Sequence, residues 1–159
     1  MTALRIAWFK VYQPLAYYAA YFTVYAGGAF NATVILNGLA SQKQELARIA
    51  ALKHLTVVDK DNATMIEVAA EMYLRGMEFL PVSLEKSEAT AFKIEDGKLL
   101  PPFNCIPALG NAAAGEIVKV RNEHLFTSKA DLKKRGKVSQ SIIDTMEHMG
   151  ILKGLPEED

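Results

Sequence analysis

The sequence predicts an α+β chain that is mainly helical, with one small antiparallel sheet set between an N-terminal helical part and a C-terminal pair of helix–turn–helix units. Three observations carry that expectation. Apolar residues recur at helical spacing through the first half, as in Met65, Ile66, Ala69, Met72 and Tyr73. The period then changes at "EFLPVSL" and "ATAFKI", which read as strands. Beyond Pro101-Pro102 two stretches repeat a helix–turn–helix pattern around Gly110 and Gly136.

Taken in order, Ala3 to Tyr12 and Pro14 to Val24 read as helices, broken at Pro14, whose ring suits a first helical turn, and closed by Gly27-Gly28. Asn31 to Gly38 reads as a short helix. Ser41 is the expected cap of "QKQELARIAALKHL", with Leu46, Ile49, Ala50 and Leu52 its expected buried residues. Asp61 or Asn62 is the expected cap of the next helix, which Gly76 ends. "EDGK" is a tight turn into a third short strand at Leu99-Leu100. The two C-terminal units are "FNCIPALGNAAAGEIVKVRNE" and "SKADLKKRGKVSQSIIDTMEHMG", and the tail "LPEED" reads as frayed.

Composition excludes several classes. The 159 residues are half hydrophobic and 23% charged with zero formal net charge, so the chain as a whole advertises neither nucleic acid nor membrane. The apolar N-terminal stretch carries Arg5, Lys10, Gln13 and Pro14, and its clean run is about half the ~20 residues a membrane span needs. The lone Cys105 leaves no internal disulfide and suits a reducing compartment, so a cytoplasmic location is expected. His54, His124 and His148 are scattered without partners at metal-ligand spacing, and no carboxylate constellation suggests acid–base catalysis. Tyr17, Tyr21 and Tyr25 fall on one helical face, which reads as packing ahead of a base-stacking platform.

The stretch "IPALGNAAAGEIVKVR" is the most informative. Pro107 fixes a turn, Gly110 is expected to supply a position where φ > 0 or close approach of another backbone is possible, and Asn111 to cap a helix that opens on alanines. The amides of Gly110, Asn111 and Ala112 would then face outward at a helix N-terminus with no bulk in the way, which is an anion site. In the second unit Ser128 and Asp131 open the first helix, Gly136 makes the turn and Ser139 caps the second. Between Ile117 and Gln140 seven basic residues (Lys119, Arg121, Lys129, Lys133, Lys134, Arg135 and Lys137) face two acidic ones, a local excess of five. A solvated helical hairpin explains either turn alone; two turns beside one basic strip point to the duplex backbone. The candidate contacts are Gly110, Asn111, Ala112, Lys119, Arg121, Lys134, Arg135, Gly136, Lys137 and Ser139.

The "IPxLG…A…IV" stretch resembles the helix–hairpin–helix motif of many DNA enzymes, with Ala108 where the motif usually has Gly. More widely, "RIAWFKVYQPLAYYAAYFTV", "LTVV", "EMYLRG", "KSEATAF", "LLPPFNCIPALGNAAAGEIVKVR" and "SKADLKKRGKVSQSIIDTMEHMGILKGLP" resemble the C-terminal part of the PolC-type DNA polymerase III alpha subunit. The resemblance implies the end of the fingers over residues 1–24, a helical segment and small sheet of the duplex-binding region over 25–101, the tandem helix–hairpin–helix over 102–155 and a tail over 156–159. It implies a fragment of a nucleotidyltransferase that lacks the catalytic palm, so inactivity alone is expected. No cofactor is expected in this chain, the Mg2+ belonging to the parent polymerase. The implied function is non-sequence-specific binding of template–primer duplex, with the rest of the polymerase chain as partner. The alternative is a protein-interaction domain docking replisome subunits or the sliding clamp. Clamp binding is not expected here, because Glu157-Glu158-Asp159 stand where the family's clamp motif follows a Leu-Pro.

Overall fold

The computed structural model describes residues 3–158. Met1 and Thr2 of the expected fingers segment and Asp159 of the expected tail lie outside the described residues. Helices α1 (Ala3–Tyr12) and α2 (Pro14–Tyr25) flank the break at Gln13, and Pro14 sits in the first turn of α2, where its missing N–H costs nothing. Tyr18 and Phe22 form the buried face of α2. Phe22 packs on Phe30, Phe79 and Phe92 with ring centroids 5.7, 5.2 and 5.6 Å away. That aromatic cluster joins α2 to the sheet region.

Helix α3 (Ala32–Ile35) is capped by the Asn31 side chain, which accepts from the Val34 amide. Helix α4 (Leu39–Ala50) starts directly after Gly38, ahead of the expected cap Ser41. Its inward face carries Ile49 and the amide of Gln42, whose Nε2 donates to the Ile35 carbonyl; Ala50 and Leu52, expected inside, are exposed. Helix α5 (Val57–Leu74) begins earlier than expected. Thr56 and Asp59 form a reciprocal capping box there, which satisfies two free amides at once and leaves Asp61 and Asn62 within the helix. The expected buried stripe of Met65, Ile66, Ala69 and Met72 is buried, with Tyr73 half-buried beside it.

The sheet is smaller than its sequence suggests. Strands β1 (Lys93–Glu95) and β2 (Lys98–Leu100) pair antiparallel, Lys93 opposite Leu100. Asp96 and Gly97 join them with φ of 50° and 72°, the two-residue turn that an Asp-Gly pair favours. The strand expected over "EFLPVSL" is reduced to one parallel bridge between Phe79 and Leu99, since Pro81 has no amide to continue the ladder. "ATAFKI" loses its first half because the Phe92 amide donates to the Thr23 hydroxyl of α2 instead.

After a 3-10 turn at Phe103–Cys105, which replaces the first helix expected of the first unit, come α6 (Asn111–Glu123), α7 (Lys129–Arg135) and α8 (Gln140–His148). Pro156 and Glu157 of the tail are hydrogen-bonded to α7. The Lys129 and Ala130 amides donate to the carbonyls of Pro156 and Glu157 at 2.8 and 3.0 Å, and Lys129 Nζ bridges Glu147 and Glu157. These bonds cover the N-terminus of α7, whose first amides have no partner within the helix.

Helix α1 contributes no buried residue. It leans on α2 and is tied to α5 by Lys10, which pairs with Glu71 at 2.7 Å, and by Arg75, which donates to the Lys10 carbonyl. Leu4, Trp8 and Val11 are 80%, 50% and 62% exposed. Exposed apolar side chains on a helix of this kind favour association. Sedimentation velocity is expected to show concentration-dependent self-association, and replacing Leu4, Trp8 and Val11 together by Gln should shift the protein to monomer while barely moving its unfolding midpoint. A parent protein that stays monomeric at high concentration contradicts this.

Candidate nucleic-acid interface

The two hairpin turns share one backbone design. In the first, Ala108 adopts φ 66°, Leu109 is buried, and Gly110 is the N-cap of α6. In the second, Lys137 adopts φ 53°, Val138 is buried, and Ser139 is the N-cap of α8. Each turn therefore runs from a left-handed residue through a hydrophobic anchor to a helix cap. The left-handed residue reverses the chain, and the anchor holds the loop on the core.

This corrects the positive φ expected of Gly110. Gly110 has φ −76° and ψ 168°, extended backbone that any residue adopts, and a Cβ added there meets no atom within 4 Å. The left-handed position is Ala108, where the motif usually carries glycine. Asn111 is the first helical residue and not the cap, and its Oδ1 accepts from Asn104 Nδ2 at 3.2 Å. Gly136 also has a right-handed φ of −75°, but for a different reason it must be small: a Cβ would lie 2.6 Å from the Leu132 carbonyl oxygen.

The N-terminus of α6 is open. No side chain caps it, and Gly110, Asn111 and Ala112 are exposed. The first amides of a helix lack intrahelical acceptors, and they stand at its positive end. Small side chains at 110 and 112 let a phosphate oxygen approach them. The N-terminus of α8 is more closed, because the Ser139 side chain accepts from the Ile142 amide.

Three of the seven basic residues of the strip, Arg121, Lys129 and Arg135, are engaged inside the protein. Arg121 is buried: its Nη1 donates to the carbonyls of Ser87 at 2.5 Å and Leu84 at 3.4 Å, and its guanidinium lies 5.8 Å from the Phe103 ring centre. Burial draws its pKa below the ordinary arginine value. Arg135 pairs with Asp131 at 2.7 Å and donates to the carbonyls of Val120, His124 and Leu125 over the Phe126 ring. Lys129 is held by Glu147 and Glu157, and Lys133 donates to Gln140 Oε1. The expected phosphate contacts Arg121 and Arg135 thus face the protein. Lys119, Lys133, Lys134 and Lys137 face solvent; among the described residues the first three have no ion pair, and Lys137 meets Glu116 at 3.4 Å. Nothing in its spacing marks Glu116, which only the packing of α6 beside the second turn brings to Lys137.

The helix-hairpin-helix motif family matches residues 76–158, just over half of the chain and both turns. The chain belongs to the helix-hairpin-helix motif family. The family stretch begins at Gly76 and takes in the β-hairpin and the loop ahead of it, which the Arg121 side chain binds to α6. The chain is also similar along its whole length to PolC-type DNA polymerase III of Clostridium perfringens and of Pediococcus pentosaceus, at 43% and 44% identity. Over 99% of its length it is 43% identical to that of Thermotoga maritima. It spans about 11% of the length of these relatives. No helix among the described residues is long and apolar enough to cross a membrane.

The two turns make opposite predictions for a small change. Ala108→Gly relieves a left-handed alanine and is expected to raise stability by about 1 kcal/mol. Gly136→Ala forces a methyl against a backbone oxygen and should lower it by ~1–3 kcal/mol. Urea unfolding of the two variants checks both signs, and a destabilised Ala108→Gly would mean that the first turn is not under strain.

Proposed function

We propose that this chain grips template–primer duplex through its phosphates, without reading sequence, as part of a PolC-type replicative polymerase. One observation carries the reading: an uncapped, exposed helix N-terminus behind the Ala108-Leu109-Gly110 turn, repeated in backbone form at Lys137-Val138-Ser139. Amides at a helix N-terminus recognise phosphate and carry no base information. Two such turns in one chain suit a backbone followed across a groove. Lys119, Lys134 and Lys137 add charge around them. The palm carboxylates of the family are not in this sequence, so the proposed part in polymerisation is to hold the product duplex while the parent's Mg2+-dependent chemistry proceeds elsewhere in the longer chain. Location in the cytoplasm goes with that role.

A second contact belongs to the same proposal. The exposed apolar side chains of α1 fit a protein surface better than a polyanion, and the rest of the polymerase chain is the partner proposed for them.

Fluorescence anisotropy with a short mixed-sequence duplex, at several salt concentrations, tests the duplex reading. Affinity should be independent of sequence, and its logarithm should fall linearly with that of salt. Charge reversal of Lys119, Lys134 and Lys137 should reduce the slope by up to about 0.9 for each phosphate no longer neutralised. Arg121 and Arg135 are left intact because they brace the fold. Gly110→Val, which the extended backbone admits, should weaken binding by crowding the amides. Binding that is insensitive to salt and to all four changes would remove the hairpins from the interface.

A further inference from the structure

We infer that Glu116 is an internal competitor for Lys137, setting the duplex affinity of the hairpin pair below the value its own cations and amides could reach. The inference rests on the duplex reading above. Lys137 holds the left-handed position of the second turn, so its side chain springs from the loop that reverses the chain. Its Nζ lies 3.4 Å from Glu116 Oε1 on α6, the helix that the first turn opens. The carboxylate of one hairpin unit thus neutralises the loop cation of the other.

The asymmetry of this ion pair decides between clasp and competitor. The Lys137 side chain is 75% exposed and that of Glu116 33%. A pair so open to water contributes little to holding two elements together. Lys137 can therefore leave at low cost, while Glu116 stays anchored on its helix.

Glu116 also lies five residues beyond Asn111, roughly 7.5 Å along the helix axis. That distance is within the reach of an unscreened charge at physiological salt. A phosphate arriving at the α6 N-terminus or at the second turn consequently meets one carboxylate that opposes it in both places. Its approach frees Lys137 from Glu116 and gives the lysine a better-charged acceptor.

A double-mutant cycle tests this on the intact chain, with the same short duplex as probe. Glu116→Gln keeps the shape of the side chain and removes its charge. It should tighten duplex binding about 2- to 5-fold at low salt, the gain fading as salt rises. In a Lys137→Met background the same Glu116→Gln change should give a clearly smaller gain, because the captured cation is gone. Equal gains in the two backgrounds would overturn the inference, leaving only a general charge effect, and weaker binding by Glu116→Gln would make the pair a clasp. Circular dichroism that matches the parent at the assay temperature qualifies each variant, and Glu116→Ser provides a second neutral replacement should the glutamine variant fail to fold. A parent chain that does not bind duplex at any salt concentration would instead defeat the duplex reading itself, an outcome distinct from a cycle without coupling.

Discussion

The guanidinium of Arg121 lies between the 84–87 segment and the Phe103 ring, donating to the carbonyls of Leu84 and Ser87. Removing such a charge from water is costly unless its hydrogen bonds are satisfied and its geometry is good. Once made, the arrangement fixes three things together. It sets the loop ahead of the β-hairpin, the entry to the first turn through Phe103, and the placement of α6 against both. The Phe103 and Asn104 amides reinforce it by donating to the carbonyls of Glu88 and Ala89. Arg135 plays the matching part for the second unit, drawing α7 onto the end of α6 through Val120, His124 and Leu125. Asp131, the partner of Arg135, is held below the usual carboxylate range: burial pushes it up, but bonds from Arg135 and the Thr127 amide outweigh that push.

This use of arginine changes the electrostatics of the proposed interface. A strip with five excess positive charges in sequence presents, once folded, mainly Lys119, Lys133, Lys134 and a Lys137 that is already shared with Glu116. In the proposed interface, backbone amides and the dipole of α6 would then carry a larger part of phosphate recognition than free lysines do. Fewer cations mean fewer counterions released, so the salt dependence of binding should be gentler than the sequence alone would suggest. A grip of that kind suits a duplex that must move past it. The lone Cys105 takes no part: it is buried, and burial pushes its thiol up to about 12.

Much of this is legible in the residues. Pro14 and Gly27-Gly28 bracket α2 because their effects are local, and the apolar period of α5 survives folding for the same reason. The small sheet is visible in outline through Asp96-Gly97. Elsewhere two local rules compete and tertiary structure chooses. Thr56 and Asp61 both suit a cap, but only Thr56 finds a reciprocal partner in Asp59. Pro81 and the Thr23 hydroxyl shorten strands whose side-chain alternation looks sufficient. At the interface, the pair of turns and the open N-terminus of α6 can be read from small residues and spacing. The division of the basic residues cannot, since it depends on carbonyls and carboxylates distant in sequence. Gly110 misleads for a related reason: its smallness matters to an approaching ligand, while the strained backbone sits two residues earlier, at Ala108.

Amide chemical-shift mapping most directly tests the claim that hairpin backbones hold the duplex. With the protein labelled by nitrogen-15 and titrated with a short mixed-sequence duplex, the amides of Gly110, Asn111 and Ala112 should move furthest. Those of Lys137 and Val138 should move with them at the same DNA concentrations, and the side-chain signal of Arg121 should stay in place. Shifts gathered on α1 and α2, with the hairpin amides unmoved, would contradict the account.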